Sequence, residues 1–238
     1  MQNIIDNRVN EIPMKNSIEL AIEKGRRIVI VVYSFQPKTE KLIRSILETI
    51  LKQYDKEYLH DSIYSVLFEA VMNCVKANAK RVFFEEKNLN IKNIEDYNRG
   101  IRIFKEEIGN KKLRELCEKG REKKIYIKIV YTHQKNGLKI EILNNAELLK
   151  EEEYRIRAKL SKGQRYENLF DFYNDNSDPT EGEGLGLVLS LLMLKGEGVD
   201  PSNFRIGSKN GITKTRIEIP FDENYVSERS LYALDSNK

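Results

Sequence analysis

Leu67-Phe-Glu-Ala-Val-Met-Asn-Cys-Val-Lys-Ala77 is the stretch on which the fold turns. Projected as a helix at about 100° per residue, this stretch and the turn before it place Ser62, Ser65, Glu69, Asn73 and Lys76 on one narrow face. Nearly everything else is apolar, including Ile63, Val66, Leu67, Val71 and Val75. A surface helix shows a wider polar face, so this one reads as buried almost all round. A carboxylate, an amide and an ammonium in such a place need partners. An internal Glu69–Lys76 salt bridge is the simple account, but a spacing of i, i+7 is too long for direct contact along one helix. A stripe lining a ligand cavity is the sharper account, and the pattern slightly favours it.

A second segment points the same way. Far downstream, Glu181-Gly-Glu-Gly-Leu-Gly-Leu187 runs into the apolar stretch Val188-Leu-Ser-Leu-Leu-Met-Leu194. Gly182, Gly184 and Gly186 allow close backbone approach, and the free N–H groups of the helix that follows favour an anion, phosphate above all. No Gly-Lys-Ser/Thr follows, which excludes a Walker loop. The segment 170–180 before the glycines is loop-like, which makes a dinucleotide-binding βαβ unit a poor fit.

With E-x-x-x-N on a helix, then G-x-G-L-G-L before another helix, then a last strand ending at Pro220, the chain resembles the GHKL superfamily over roughly 28–220. That superfamily holds the ATP-binding domains of histidine kinases, anti-sigma-factor serine kinases, type II topoisomerases and related chaperones. The order of elements is similar to the anti-sigma-factor kinases, whereas Lys76 is similar to the histidine kinases. The resemblance implies ATP and Mg²⁺ as cofactors. Asn73 would hold the metal, Glu69 would serve as general base or orient the attacking group, and Lys76 would reach a phosphate. Gly182, Gly184, Leu185, Gly186 and Leu187 would form the phosphate loop, and Thr213 would help hold the adenine. Asn144 stands where the family carries the aspartate that accepts from the adenine amino group, and Ala146 and Leu148 replace the glycines of that box. A neutral amide accepts more weakly than a carboxylate, so base recognition is expected to be the weak point of the site.

Composition bounds the rest. The chain has 238 residues, 40% hydrophobic and 33% charged, with a net charge of +4. A real core under a charged surface is expected. Neither a secretory signal nor a membrane span is visible, since the longest aliphatic strand-like run is Ile28-Val-Ile-Val-Val32. Cys74 and Cys117 sit on apolar helical faces, which suits reduced thiols and a cytoplasmic location. Between Lys87 and Lys124 there are twelve Lys/Arg and seven Asp/Glu, but the charges are interspersed and lack exposed aromatics. A solvated helical surface is the expectation there, and nucleic acid is not an expected partner. His60 and His133 make no zinc site with the two cysteines. His60 is read as a helix start and His133 as exposed beside a turn.

The chain is therefore expected to form a two-layer α/β sandwich, a mixed sheet with helices on one face. An N-terminal extension, 1–25, precedes a domain at 26–220 that carries a helical insertion at 87–123, and a polar tail follows at 221–238. A strand is expected over 26–35, a helix from Pro37, and an end to the Glu69 helix at Asn78. A short strand should follow over 81–86, then a hairpin across Asn136-Gly137, and a flexible lid over 146–180 offering Arg155, Arg157, Lys159, Lys162 and Arg165 to phosphates. The leading function is a cytoplasmic GHKL-type kinase or ATPase in signalling, with a protein as regulator or phosphoacceptor; a homodimer is compatible with it. The alternative is a catalytically degenerate module of the same fold that binds or sequesters a protein.

Overall fold

In a computed structural model, residues 3–6, 11–175 and 185–235 are described. A six-stranded sheet is their frame, in the order β1-β2-β3-β4-β6-β5. The strands are β1 (Asn3–Asp6), β2 (Ile28–Val32), β3 (Ile127–Gln134), β4 (Gly137–Asn144), β5 (Phe204–Lys209) and β6 (Ile212–Pro220). β1 pairs parallel to β2 and every other pair is antiparallel, so the sheet is mixed. Alternation along the strands sends Ile28, Ile30, Ile129, Tyr131, Ile140 and Ile217 to one face, where they join the main core.

Helices cover that face. α1 (Glu11–Glu23) buries Ile18, Ala21 and Ile22. α2 (Pro37–Gln53) opens with Pro37 in its first turn, where a missing N–H costs nothing, and buries Ile43, Ile46, Leu47, Ile50 and Leu51 at helical spacing. α3 (His60–Glu86) is 27 residues long, about 40 Å. α8 (Gly186–Gly196) lies beside it, with Leu187, Leu191 and Leu194 in the same core. The result is the two-layer α/β sandwich the sequence predicts.

Several local expectations fail, each for a packing reason. Asn78 does not end α3; it is buried mid-helix, and 81–86 is helical rather than a strand. Val82, Phe83 and Phe84 favour strands as residue types, but here they form a second core with Tyr97 and Phe104 of α4 (Ile94–Glu107) and Leu116 of α5 (Asn110–Glu122). Gly100 lets α4 cross α3 closely, since a Cβ there would overlap the Phe84 ring. The β3–β4 turn is Lys135-Asn136, with Gly137 already paired to Gln134. The type I′ geometry belongs instead to Asn210-Gly211, whose φ values are 53° and 76°, between β5 and β6. His133 is buried, not exposed: its Nδ1 meets the Tyr54 hydroxyl at 2.8 Å and its Nε2 the Arg26 carbonyl at 3.0 Å.

Both expected appendages belong to the fold. Within the first 25 residues, β1 extends the sheet and α1 adds Ile18, Ala21 and Ile22 to the core. Beyond Pro220, α9 (Glu228–Asp235) is fixed to the opposite, charged face of the sheet, where Glu228 pairs with Lys139 and Arg216. The expected lid over 146–180 contains α6 (Lys150–Arg165) and α7 (Leu169–Asp175). α6 packs tightly on α8: a Cβ on Gly163 would stand 2.9 Å from Leu191 Cδ1.

Candidate functional site

One cavity of about 570 Å³ lies between α3, the ends of β4 and β6, α4 and α6. Glu69, Asn73, Lys76, Asn144, Leu187 and Thr213 all line it. Ser62 and Ser65, the first two residues of the expected stripe, do not; Ser62 bonds Glu197 and Ser65 bonds the Asp61 carbonyl. Gly182 and Gly184, with Glu181 and Glu183, lie outside the described residues. Leu185 packs with Phe172, Val188 and Leu192 rather than lining the cavity.

Glu69 sits against the start of α8. A Cβ on Gly186 would overlap its carboxylate, so only glycine lets the helix end come this close. The free N–H groups and dipole of that end favour negative charge there. One turn further along α3, Asn73 Nδ2 donates to Glu69 Oε1 at 3.0 Å. This bond orients the amide and directs Asn73 Oδ1 away from the carboxylate. Lys76 is exposed and forms no ion pair with Glu69, so the simple salt-bridge account does not hold.

The floor is the end of the sheet. Asn144 and Thr213 stand opposite each other in the β4–β6 register. Thr213 Oγ1 donates to the Ala146 carbonyl at 2.6 Å, which fixes the loop leaving β4. Asn145 supports the same loop, accepting from Tyr126 N at 2.7 Å and donating to the Lys124 carbonyl at 2.9 Å. Asn144 is only 2% exposed, and among the described residues its Oδ1 has no hydrogen-bond partner. A buried orphan acceptor is uncommon and costly, so a donor from a ligand fits it.

The walls supplied by α4 and by the last turns of α3 were not expected from the resemblance. α4 contributes Tyr97, Ile101, Phe104 and Lys105, so the helical insertion closes one side of the cavity. α3 contributes Lys80 and Arg81, and α6 contributes Glu152, Arg155 and Lys159. Glu152 pairs with Lys80, with Arg81 at 3.2 Å, and accepts from Leu149 N at 3.1 Å. Burial alone would raise the Glu152 carboxyl, but Lys80 and Arg81 outweigh it and hold the group below its ordinary value. Burial lowers the Lys80 ammonium, even with Glu152 beside it. Arg155 donates to the Tyr97 hydroxyl and lies over its ring, 5.5 Å from the centroid. Of the five basic residues expected on the lid, Arg155 and Lys159 line the cavity; Arg157 instead pairs with Glu153. Lys80 could have been found in the sequence, because it continues the i+4, i+3, i+4 spacing of Glu69, Asn73, Lys76 past Asn78.

Among the described residues, six lysine and arginine side chains against two carboxylates line the cavity, a balance attractive to an anion. Among the described residues no group of three or more His, Cys, Asp and Glu could hold a metal ion. A hard divalent cation could be held here only as a shared one: Asn73 Oδ1 would offer one oxygen, and a phosphate chain and water would have to supply the rest. Cys74 also lines the cavity, but burial pushes its thiol up to about 12. Burial pushes Cys117 up to about 11, so both cysteines are free thiols and poor nucleophiles at neutral pH. Among the described residues no helix is long and apolar enough to cross a membrane.

No protein-family model and no solved structure matches the chain. It is similar to an uncharacterized protein of Treponema pallidum (strain Nichols), 30% identical over 203 residues that make up 85% of this chain. The chain spans 39% of that relative's length.

Proposed function

We propose that this chain is a cytoplasmic nucleotide-binding protein of the GHKL type, taking ATP with Mg²⁺ and acting in signalling as a kinase or ATPase toward a protein partner. The supporting observation is the convergence of Glu69, Asn73, Lys76, Asn144 and Thr213 on one basic cavity, with the buried Asn144 Oδ1 left without a donor. The adenine amino group is such a donor. Asn73 would hold Mg²⁺, which would neutralise phosphate charge and align the phosphates. Glu69, fixed by Asn73 and by the close approach of Gly186, would accept a proton from the attacking hydroxyl or water. Lys76, exposed on the same stripe, would meet a phosphate.

Calorimetric titration of ATP and GTP, each with and without Mg²⁺, tests this reading. ATP binding should require Mg²⁺ and fail in Asn73→Ala, while Glu69→Gln should keep binding and lose turnover. Because a neutral amide reads the base, ATP should bind weakly and discriminate poorly against GTP. Asn144→Asp should favour ATP over GTP by about 1 kcal/mol, the margin of a charge-assisted over a neutral hydrogen bond. No binding of either nucleotide would sink the reading. Binding without turnover in the parent protein would favour the degenerate, partner-binding module.

A further inference from the structure

The cavity has an end that the nucleotide reading leaves without a task. From Glu69 to Arg81 it follows α3 for about 18 Å. At the far end Lys80 and Arg81 share one carboxylate, Glu152, and the three side chains are 10–17% exposed. One positive charge is therefore left over in a partly dry place, where charge needs a counter-charge. Arg155 stands exposed at the rim, and the groups it donates to, the Tyr97 hydroxyl and the Glu151 carbonyl at 3.1 Å, are both neutral. An ammonium, two guanidinium groups and a tyrosine hydroxyl together suit a phosphate better than a planar carboxylate. Arg81 also donates to the carbonyl of Glu147, three residues past Asn144, so this end adjoins the residues suited to read a base.

We propose that this end is a second anion subsite, and that the ligand of the cavity is a nucleotide carrying a phosphate on its ribose in addition to its polyphosphate chain. This rests on the nucleotide reading above. With the base at Asn144 and Thr213 and the polyphosphate directed to Glu69 and the start of α8, the ribose 2′ and 3′ oxygens are the remaining points from which a substituent can leave that line. The insertion thereby acquires a role: α4 holds Tyr97 where it positions Arg155 at the rim.

The test is a titration in the presence of Mg²⁺ with ATP and with ATP phosphorylated at the ribose 2′ or 3′ oxygen. One of the phosphorylated ligands should bind about ten-fold tighter than ATP, the margin of one charge-assisted hydrogen bond. In Arg155→Gln that ratio should fall toward one, and Arg155→Lys should restore part of it. Equal affinity for all three ligands overturns the subsite and leaves the ATP reading standing. A ratio that Arg155→Gln leaves unchanged overturns its placement. Failure of every nucleotide to bind overturns the ATP reading, and the subsite with it.

Discussion

The two halves of α3 present polar residues to the same cavity and treat them in opposite ways. In the first half Glu69 meets Asn73 and the start of α8, and Lys76 is left exposed without an ion pair to Glu69. In the second half Lys80 and Arg81 are both tied to Glu152 of α6. Polar groups held by neighbours on their own helix remain available to a ligand, whereas groups tied across elements hold the walls at their spacing. The first half leaves its polar groups open to the cavity, and the second ties most of its charge to a neighbouring helix, with one surplus cation.

The largest effect that could break this contrast is on stability. Glu152→Ala leaves two partly buried cations without their carboxylate and should cost about 3–5 kcal/mol in urea unfolding, while Glu69→Ala should cost far less. Equal losses would erase the distinction. The pH dependence carries the same sign. The folded Glu152 carboxyl is lowered from its ordinary 4.5, so its stabilisation is fully present above about 4.5 and is lost as pH falls through the lowered folded value. That acid limb should shrink in Glu152→Ala.

How much of this was legible in the sequence follows from the range of each contact. Glu69 and Asn73 lie four residues apart, and their shared face is a property of any helix. The stripe on α2 and the antiparallel strands ending at Asn144 and Pro220 are equally local patterns. Glu152 lies 72 residues from Lys80, in a polar segment whose composition resembles a loop, and nothing near it announces its partners. Val82-Phe83-Phe84 read as a strand because the helices that bury them come later in the chain. The β3–β4 turn lies one residue earlier than the sequence predicts for a related reason: of two Asn-Gly pairs, strand register decides which adopts positive φ.

A smaller effect would sharpen the half around Glu69. Gly186→Ala places a Cβ where the Glu69 carboxylate now sits, so the carboxylate must turn aside. If Glu69 is the base, phosphate release should fall about 100-fold with the fold retained. Unchanged release would remove the contact from the mechanism. The smallest effect belongs to Lys76→Ala. An exposed side chain with no ion pair to Glu69 should alter unfolding free energy by less than about 0.5 kcal/mol, while Mg²⁺-ATP affinity should drop measurably. A stability loss as large as that of Glu152→Ala would place Lys76 with the architecture instead.

The length of α3 has a thermal consequence. Its first turns belong to the core over the sheet, and its last turns to the core with α4 and α5. Because no break separates them, one core cannot melt without fraying the helix on which the other is assembled. The insertion is therefore not an autonomous unit that could open while the sandwich persists. Heating should produce a single cooperative heat-capacity peak, with the amides of Val82 to Phe84 exchanging with solvent as slowly as those of Leu67 and Val71.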